Sequence, residues 1–385
     1  MTALAQACFW TSAALAAHAV IGYPLWVALA GRFTRREVRR GAVTPSVDIV
    51  IPVHDGEAEI AEKLRNCLEL EYPEAQRTVW VISDGSTDRT PAIADGFRDQ
   101  GIRCLAVPER VGKVAAQNRL VPRLSAEIVV FTDVSIRVRP DALRLLVSNF
   151  ADPVVGVVSC RDQVLARTGS GNGEGLYIRY DMAVRRYTTR VGSLIGVTGG
   201  FYGVRRELTR GGWDPSYPPD FHAALCAIEN GYRAAEDERV LAFYPTAPSH
   251  AREFERKVRT MSRGMWALWG HRRLLNPLRY GWTALHLIHY KLLRWLMPYL
   301  LLALYLSTAW LASWAPLPYL PLWLAQTTLV LLGCLGLAGT GRARPLGPLT
   351  RGPAFVVLFN LALLLSWRNL VVGRRFVVWE PTPRS

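Results

Sequence analysis

Three aspartates carry the first chemical signal in this chain. Asp55, Asp84 and Asp133 each stand at or just past the end of a short apolar run: VDIVIPV from Val47 to Val53, TVWVIS up to Ser83, and EIVVFTD up to Asp133. Short apolar runs closed by polar clusters read as buried strands. In a parallel sheet the carboxyl ends of the strands form one crevice, so the three carboxylates are expected to meet there. That convergence makes a nucleotide site the leading expectation.

The neighbours of each aspartate narrow the chemistry. DGSTDRT, Asp84 to Thr90, opens a helix with Asp88 placed to cap it, and taken alone it reads equally as a structural turn and cap. Asp84 itself is a fixed acceptor at a strand terminus, suited to the imide N–H of a uracil ring or to ribose hydroxyls. GKVAAQN, Gly112 to Asn118, sets a glycine and Lys113 at a helix start, where free backbone N–H groups and an ammonium suit a phosphate. The GxxxxGK[ST] loop is missing, so nucleotide hydrolysis of that type is unsupported, and a solvated surface lysine is the plainer reading of Lys113. FTDVS places Asp133 after a fully apolar strand, where one carboxylate can hold a hard divalent ion, Mg or Mn, that also takes diphosphate oxygens. Ser135 stands where a second acid would strengthen the metal reading.

Four further patterns could contribute. In GVTGGFYGVRREL, Gly199 and Gly200 allow close backbone approach, while Phe201 and Tyr202 either stack on a sugar ring or simply pack a core strand. Asp220, in YPPDFHAALCAIENGY, stands at the mouth of an apolar helix, where a plain N-cap is the simplest role. Arg256 and Arg259 share one helix face at i and i+3; they suit either a diphosphate or lipid head groups. His250, after LAFYP, reads more readily as a packed histidine than as a metal ligand. The six cysteines are scattered, with no CxxC and no zinc-type Cys/His spacing, so a disulfide framework and a structural metal are not expected.

The elements that must position these residues come in two kinds. About 240 residues in the middle alternate strand and helix, the size of one α/β domain. On either side the chain is apolar. Of the 385 residues 50% are hydrophobic, too many for a purely soluble protein, and disorder and fibrous repeats are excluded. Met1 to Gly31 holds no charge and is followed by Arg32, Arg35, Arg36, Arg39 and Arg40, which reads as a transmembrane helix with its N-terminus outside and the following domain cytoplasmic. A signal peptide would carry its charges before the apolar run. Leu292 to Ala312 and Tyr319 to Gly339 read as a transmembrane hairpin around a Pro-rich turn, with Arg342, Arg344 and Arg351 returning to the cytoplasmic side. Ala354 to Trp367 is short for a span; it either crosses, the reading favoured, or lies re-entrant or interfacial and leaves the basic tail with the domain. The expected division is 1–31 transmembrane, 46–285 catalytic with an interfacial helical end, 286–371 a transmembrane cluster, and 372–385 a basic tail. The net charge of +15 calls for anionic partners, and its placement beside the spans favours membrane lipids over nucleic acid, which is not expected as a partner.

The succession IPVHDGEAEI, SDGSTD, RVGKVAAQN, TDVS, GVTGGFYGVRREL, YPPDF and REFERKVRT resembles that of membrane-bound family-two glycosyltransferases over about residues 46–295. With its anchors, the chain is similar to bacterial exopolysaccharide transferases. The resemblance implies a GT-A fold, an α/β, Rossmann-like and mostly parallel sheet, with one N-terminal and two to three C-terminal transmembrane helices. It implies nucleotide contacts from Pro52, Asp55, Asp84, Lys113 and Asp133, with Asp84 on uracil or ribose and Asp133 on metal and diphosphate. Arg256 and Arg259 would hold the diphosphate, Gly199, Gly200 and Phe201 the acceptor, and Asp220 would be the catalytic base. Transfer with inversion needs one such carboxylate to take the acceptor's proton. The family often has two or three acids here, and this chain has only Asp220 after Pro218 and Pro219. Thr260 stands where processive synthases carry a Trp, which speaks against processive synthesis. The expected activity is inverting transfer from a UDP-sugar to a lipid-linked or growing polysaccharide acceptor at the cytoplasmic face of the inner membrane, with polysaccharide export partners. Ceramide-glucosyltransferase-like glycolipid synthesis and a non-catalytic nucleotide-sugar-binding export subunit are the alternatives.

Overall fold

A computed structural model describes residues 2–34, 36–165, 172–245, 250–338 and 347–377. Arg35, Arg342, Arg344, the side chain of His250 and residues 378–385 of the basic tail lie outside the described residues. The first helix, α1 (Thr2–Phe33), is 32 residues long and passes through a π-helical turn at His18–Gly22.

The middle of the chain builds one eight-stranded sheet flanked by helices. Its first half runs β1 (Val47–Val53), α2 (Glu57–Leu68), β2 (Arg77–Asp84), α3 (Thr90–Asp95), β3 (Ile102–Val107), α4 (Lys113–Leu120) and β4 (Ile128–Thr132). The second half adds β5 (Arg137–Val138), α5 (Ala142–Ser148), β6 (Val155–Leu165), α6 (Asn172–Val191), β7 (Phe201–Arg205), α7 (Pro219–Glu229) and β8 (Arg233–Pro245). The strand order is β3-β2-β1-β4-β7-β6-β8-β5. β1 to β4 pair in parallel, as their continuous apolar runs predict, and β6 pairs with β8 in parallel. β7 runs antiparallel to both β4 and β6, and β5 antiparallel to β8, so the sheet is mixed. The direction reverses between β4 and β7, which sets the carboxyl end of one strand beside the amino end of the next.

Side chains of β1 alternate between two cores, Ile49 and Ile51 toward α2 and Val50 toward α4. Asp48 is buried in this strand because its carboxylate accepts from Trp80 Nε1 and from the Ser125 and Ala126 amides, at 3.1, 2.9 and 3.0 Å. On α2 the apolar stripe Ile60, Leu64 and Cys67 lies against the sheet, and Lys63 goes in with it. The Lys63 ammonium is wholly buried and donates to Thr132 Oγ1 at 2.9 Å and to the Ile136 carbonyl at 2.7 Å. Burial presses its pKa down.

After the sheet come α8 (His250–Gly270), α9 (Pro277–His286), α10 (Met297–Trp314), α11 (Pro316–Ala338) and α12 (Pro348–Val371). With α1, four helices are long and apolar enough to cross a membrane, three of them C-terminal. The last apolar stretch is longer than its sequence core suggested, because the helix runs on through Leu349 and Val371. Gly333 and Gly336 let α11 and α12 pack closely: a Cβ on Gly333 would come within 2.5 Å of Val357 Cγ2. The far end of α12 lies along α8, with Ser366 Oγ donating to the Val258 carbonyl at 3.2 Å and Asn369 Nδ2 to Ser262 Oγ at 3.2 Å. Beyond it Arg375 stacks on Trp266 and lies 4.0 Å from Asp214, so the chain after α12 rests on the central domain, which fits the re-entrant or interfacial alternative for the last apolar stretch and not the crossing favoured from sequence.

Candidate active site

The turn after β2 is built around Asp84. It is 4% exposed, and its two oxygens accept the Val111 and Gly112 amides, each at 2.8 Å. These bonds fix the loop that delivers Lys113 to the first position of α4. Close approach makes glycine necessary at the next position: Gly85 has φ 62, and a Cβ there would sit 2.4 Å from the Arg110 amide nitrogen. Asp55 holds a left-handed conformation, φ 47, with its Oδ1 accepting the Thr87 amide at 2.8 Å. Asp88 caps two helices at once, accepting from Thr90 N and Glu57 N at 2.9 Å each. Burial works to raise its pKa, but the hydrogen bonds from Thr90 and Glu57 outweigh it and hold the carboxyl below its usual range. Pro52 is buried within β1, opposite Ile82.

The next strand end carries the charge pair. Lys113 Nζ donates to Asp133 Oδ1 at 2.5 Å, and both side chains keep some exposure, 18% and 30%. The backbone of Asp133 donates to the Gly200 carbonyl at 3.3 Å, so the strand reversal brings the TDVS and TGGF segments together. Lys63 supports this loop from beneath through its bonds to residues 132 and 136. On the other side Gly199 abuts Asp220: a Cβ there would lie 3.7 Å from the Asp220 carboxylate. Gly200 has the same relation, 3.7 Å, to Asp162 Oδ1.

Phe201 and Tyr202 are each 1% exposed and belong to the two core clusters, so the structure takes the packed-strand alternative and Phe201 presents no face to a sugar. The Tyr202 hydroxyl has no hydrogen-bond partner among the described residues. Burial and then the charges of Asp220 and Asp133 push its pKa up.

Asp220 sits in the first turn of α7, but Pro218 is the cap residue and the helix has no side-chain cap. Among the described residues its carboxylate accepts no hydrogen bond. It lines a cavity of ≈ 90 Å³, whose walls include Asp181, Arg185, His286, Tyr290 and Lys291. Arg185 is committed to Glu236 at 2.6 Å and Ser159 Oγ at 2.8 Å, and the Tyr290 hydroxyl to Asp181. The Lys291 ammonium lies 5.3 Å over the Phe221 ring; burial pulls its pKa down, opposed by Asp181 and Asp220.

Two residues of the site carried no sequence expectation. Arg263, on the Arg256 and Arg259 face of α8, caps the loop before α7 by donating to the Pro215, Ser216 and Tyr217 carbonyls at 3.1, 3.4 and 2.5 Å. Burial lowers its pKa to about 10, against the pull of Asp220 and with the push of Arg259. A third arginine at i+7 was the available signal. Asp162 lies mid-strand in β6, and burial, countered by Arg185, raises its carboxyl to about 6. Arg256 and Arg259 are half-buried on α8.

The Glycosyl transferase family 2 profile matches residues 48–212, the stretch holding Asp55, Asp84, Lys113, Asp133 and the TGGF turn. The chain carries a family 2 glycosyltransferase domain. A beta-monoglucosyldiacylglycerol synthase of Synechocystis sp. is 29% identical to it over 178 residues, 44% of this chain and 37% of that protein. An N-acetylglucosaminyltransferase of Rhizobium sp. is 32% identical over 116 residues, 29% of this chain and 26% of that one. The match thus spans well under half the length of these curated relatives. Among solved structures, the mannosyltransferase PcManGT of Pyrobaculum calidifontis, in complex with GDP-Man and Mn2+, superposes with TM-score 0.72 at 21% identity over 95% of this chain and 99% of that one. The shared domain fold is the GT-A fold, and the superposition covers the helical ends as well as the glycosyltransferase domain.

The donor set at Asp133 fits a hard divalent ion. Its carboxylate is partly open and already draws one cation, the Lys113 ammonium, and its ligand atoms are oxygens. An ion held there by Asp133 would neutralise charge on a leaving diphosphate.

Proposed function

We propose that this chain transfers a sugar from a nucleotide-sugar donor, UDP-linked, to a hydroxyl of a lipid acceptor, with inversion. The observation that carries the reading is Asp220: a carboxylate that accepts no hydrogen bond among the described residues, lining a cavity and lying beside Gly199 of the TGGF turn. The donor's base and ribose lie along the ends of β1 and β2, beside Pro52, Asp55 and Asp84. Its diphosphate lies between Lys113, Asp133 and the Arg256–Arg259 pair. Gly199 and Gly200 leave room for the sugar over the strand reversal. Asp220 takes the acceptor hydroxyl's proton as that oxygen attacks from the face opposite the diphosphate. The lysine and arginines compensate the charge that develops on the leaving group.

A lipid acceptor is favoured over a growing polymer by the cavity's position. One wall is the Leu287–Leu292 turn that leads toward α10, and His286 accepts from or donates to Tyr23 of α1 at 2.6 Å. The acceptor therefore arrives from the helical, lipid-facing end, with the domain on the cytoplasmic side of the inner membrane. The relative named for monoglucosyldiacylglycerol synthesis supports the same class. The test supplies purified chain in detergent with labelled UDP-sugars, Mg2+ or Mn2+ and a membrane lipid extract. Label moving into the organic phase with one donor is expected; label appearing only in water-soluble polymer would reject the lipid acceptor.

A further inference from the structure

A second polar cluster lies behind the active site, on the other side of α7. His222 and Cys226 stand one helical turn apart on that helix, Glu229 a further turn on, and His271 follows directly after α8. One ligand atom each of His222, Cys226 and His271 lies within 4.8 Å of the other two. The two imidazole rings are 5.0 Å apart, and the histidines are 7% and 8% exposed. His222 Nδ1 has no hydrogen-bond partner among the described residues. Glu229 Oε2 lies 2.8 Å from His271 Nδ1, close enough to pair with it although the present geometry is not that of a hydrogen bond. Tyr217 packs against both rings and helps close the cluster from solvent.

A buried imidazole nitrogen left without a partner costs free energy, and facing one toward a thiol and a second imidazole does not recover it. A metal ion does. Two imidazoles and a thiolate are a nitrogen and sulfur set of the kind that holds zinc in four-coordinate geometry, whereas the oxygen site at Asp133 suits Mg or Mn. A carboxylate on one nitrogen of a histidine, with the other turned to the metal, is the usual support of such a ligand. We propose that His222, Cys226 and His271 bind one Zn2+, with Glu229 orienting His271. On binding, the Cys226 thiol gives its proton to solvent and the sulfur becomes a thiolate ligand; the fourth position is left to water. The ion would staple α7, which carries Asp220 in its first turn, to the end of α8, which carries the arginine stripe.

The test uses the full chain in detergent and two metals. Protein dialysed against dilute zinc and then against metal-free buffer is analysed for bound metal, and metal-stripped protein is titrated with Co2+ and followed by absorption. Expected are one zinc per chain and a tetrahedral Co2+ spectrum with a thiolate-to-metal band. Cys226→Ser should abolish that band, Glu229→Gln should weaken zinc binding by about 10–100-fold, and Asp133→Asn should leave the zinc content unchanged. Zinc well below one per chain in the wild type overturns the proposal, and so does bound zinc with no thiolate band for Co2+. Both readings come from the wild type, so misfolding of a variant does not protect the idea.

Discussion

Asp84→Asn separates two roles, holding the Lys113 loop and contacting the nucleotide. In the structure both carboxylate oxygens accept backbone amides at 2.8 Å, and the side chain is buried. The amide of asparagine keeps one acceptor and turns an NH2 toward the other donor. One hydrogen bond to a charged acceptor is lost, about 1.5–3 kcal/mol, and one buried N–H is left unsatisfied, about 1–3 kcal/mol, together about 2.5–6 kcal/mol. At about 2–4 °C per kcal/mol for a domain of this size, Tm should fall by about 5–24 °C. Thermal unfolding at fixed scan rate in detergent reads the shift, and UDP binding at a temperature where the variant is folded reads the consequence for the Lys113 loop. Both should drop together. If Tm stays within about 2 °C of wild type while UDP binding is lost, Asp84 serves the nucleotide directly and the argument that it holds the loop is wrong.

Three further outcomes are expected. Arg263→Lys replaces a planar fork over three carbonyls by a single ammonium, so it should lower kcat about ten- to a hundredfold with a smaller change in KM, because the start of the Asp220 helix is no longer pinned; equal kcat would refute the positioning role. The Asp162 carboxyl, raised to about 6 from 3.8 by burial, binds its proton more tightly folded than unfolded, so the stability it contributes is complete below about pH 4 and is lost as pH rises through about 6. Asp162→Asn should therefore gain up to about 3 kcal/mol relative to wild type between about pH 4 and pH 7.5, read as a pH-dependent Tm difference, and a constant difference would contradict the shift. Gly333→Leu should destabilise the chain in detergent, since even a Cβ meets Val357 at 2.5 Å and the Pro353 carbonyl at 2.9 Å; Gly352→Ala, with nothing within 4 Å, should melt like wild type.

Much of this was readable from residue order because strands buried on both faces leave unbroken apolar runs. β1, β2 and β4 announced their carboxyl ends, and with them the placement of Asp55, Asp84 and Asp133. The capping role of Asp88 and the charge at the start of α4 followed from local rules that need no tertiary information. What stayed hidden depends on long-range contact. Lys63 looks like a misplaced charge on the apolar stripe of α2 until Thr132 and Ile136 arrive to accept from it. Phe201 looked free to stack on a sugar because the pattern of one strand does not say how well both faces are covered. His222 and Cys226 form an i, i+4 pair that acquires meaning only when α8 returns His271 to it. The last helix was underestimated because Arg351, Pro353 and Arg368 interrupt its hydropathy without interrupting its backbone.

The central claim is that Asp220 acts as the base and has no part in holding the fold or the nucleotide. Asp220→Asn should keep the wild-type Tm and UDP affinity while sugar transfer falls by about 10²–10⁴-fold, the range for losing a general base. Transfer within a fewfold of wild type, with the substitution confirmed, would contradict the account and move the search for the base to Asp162 or Asp181.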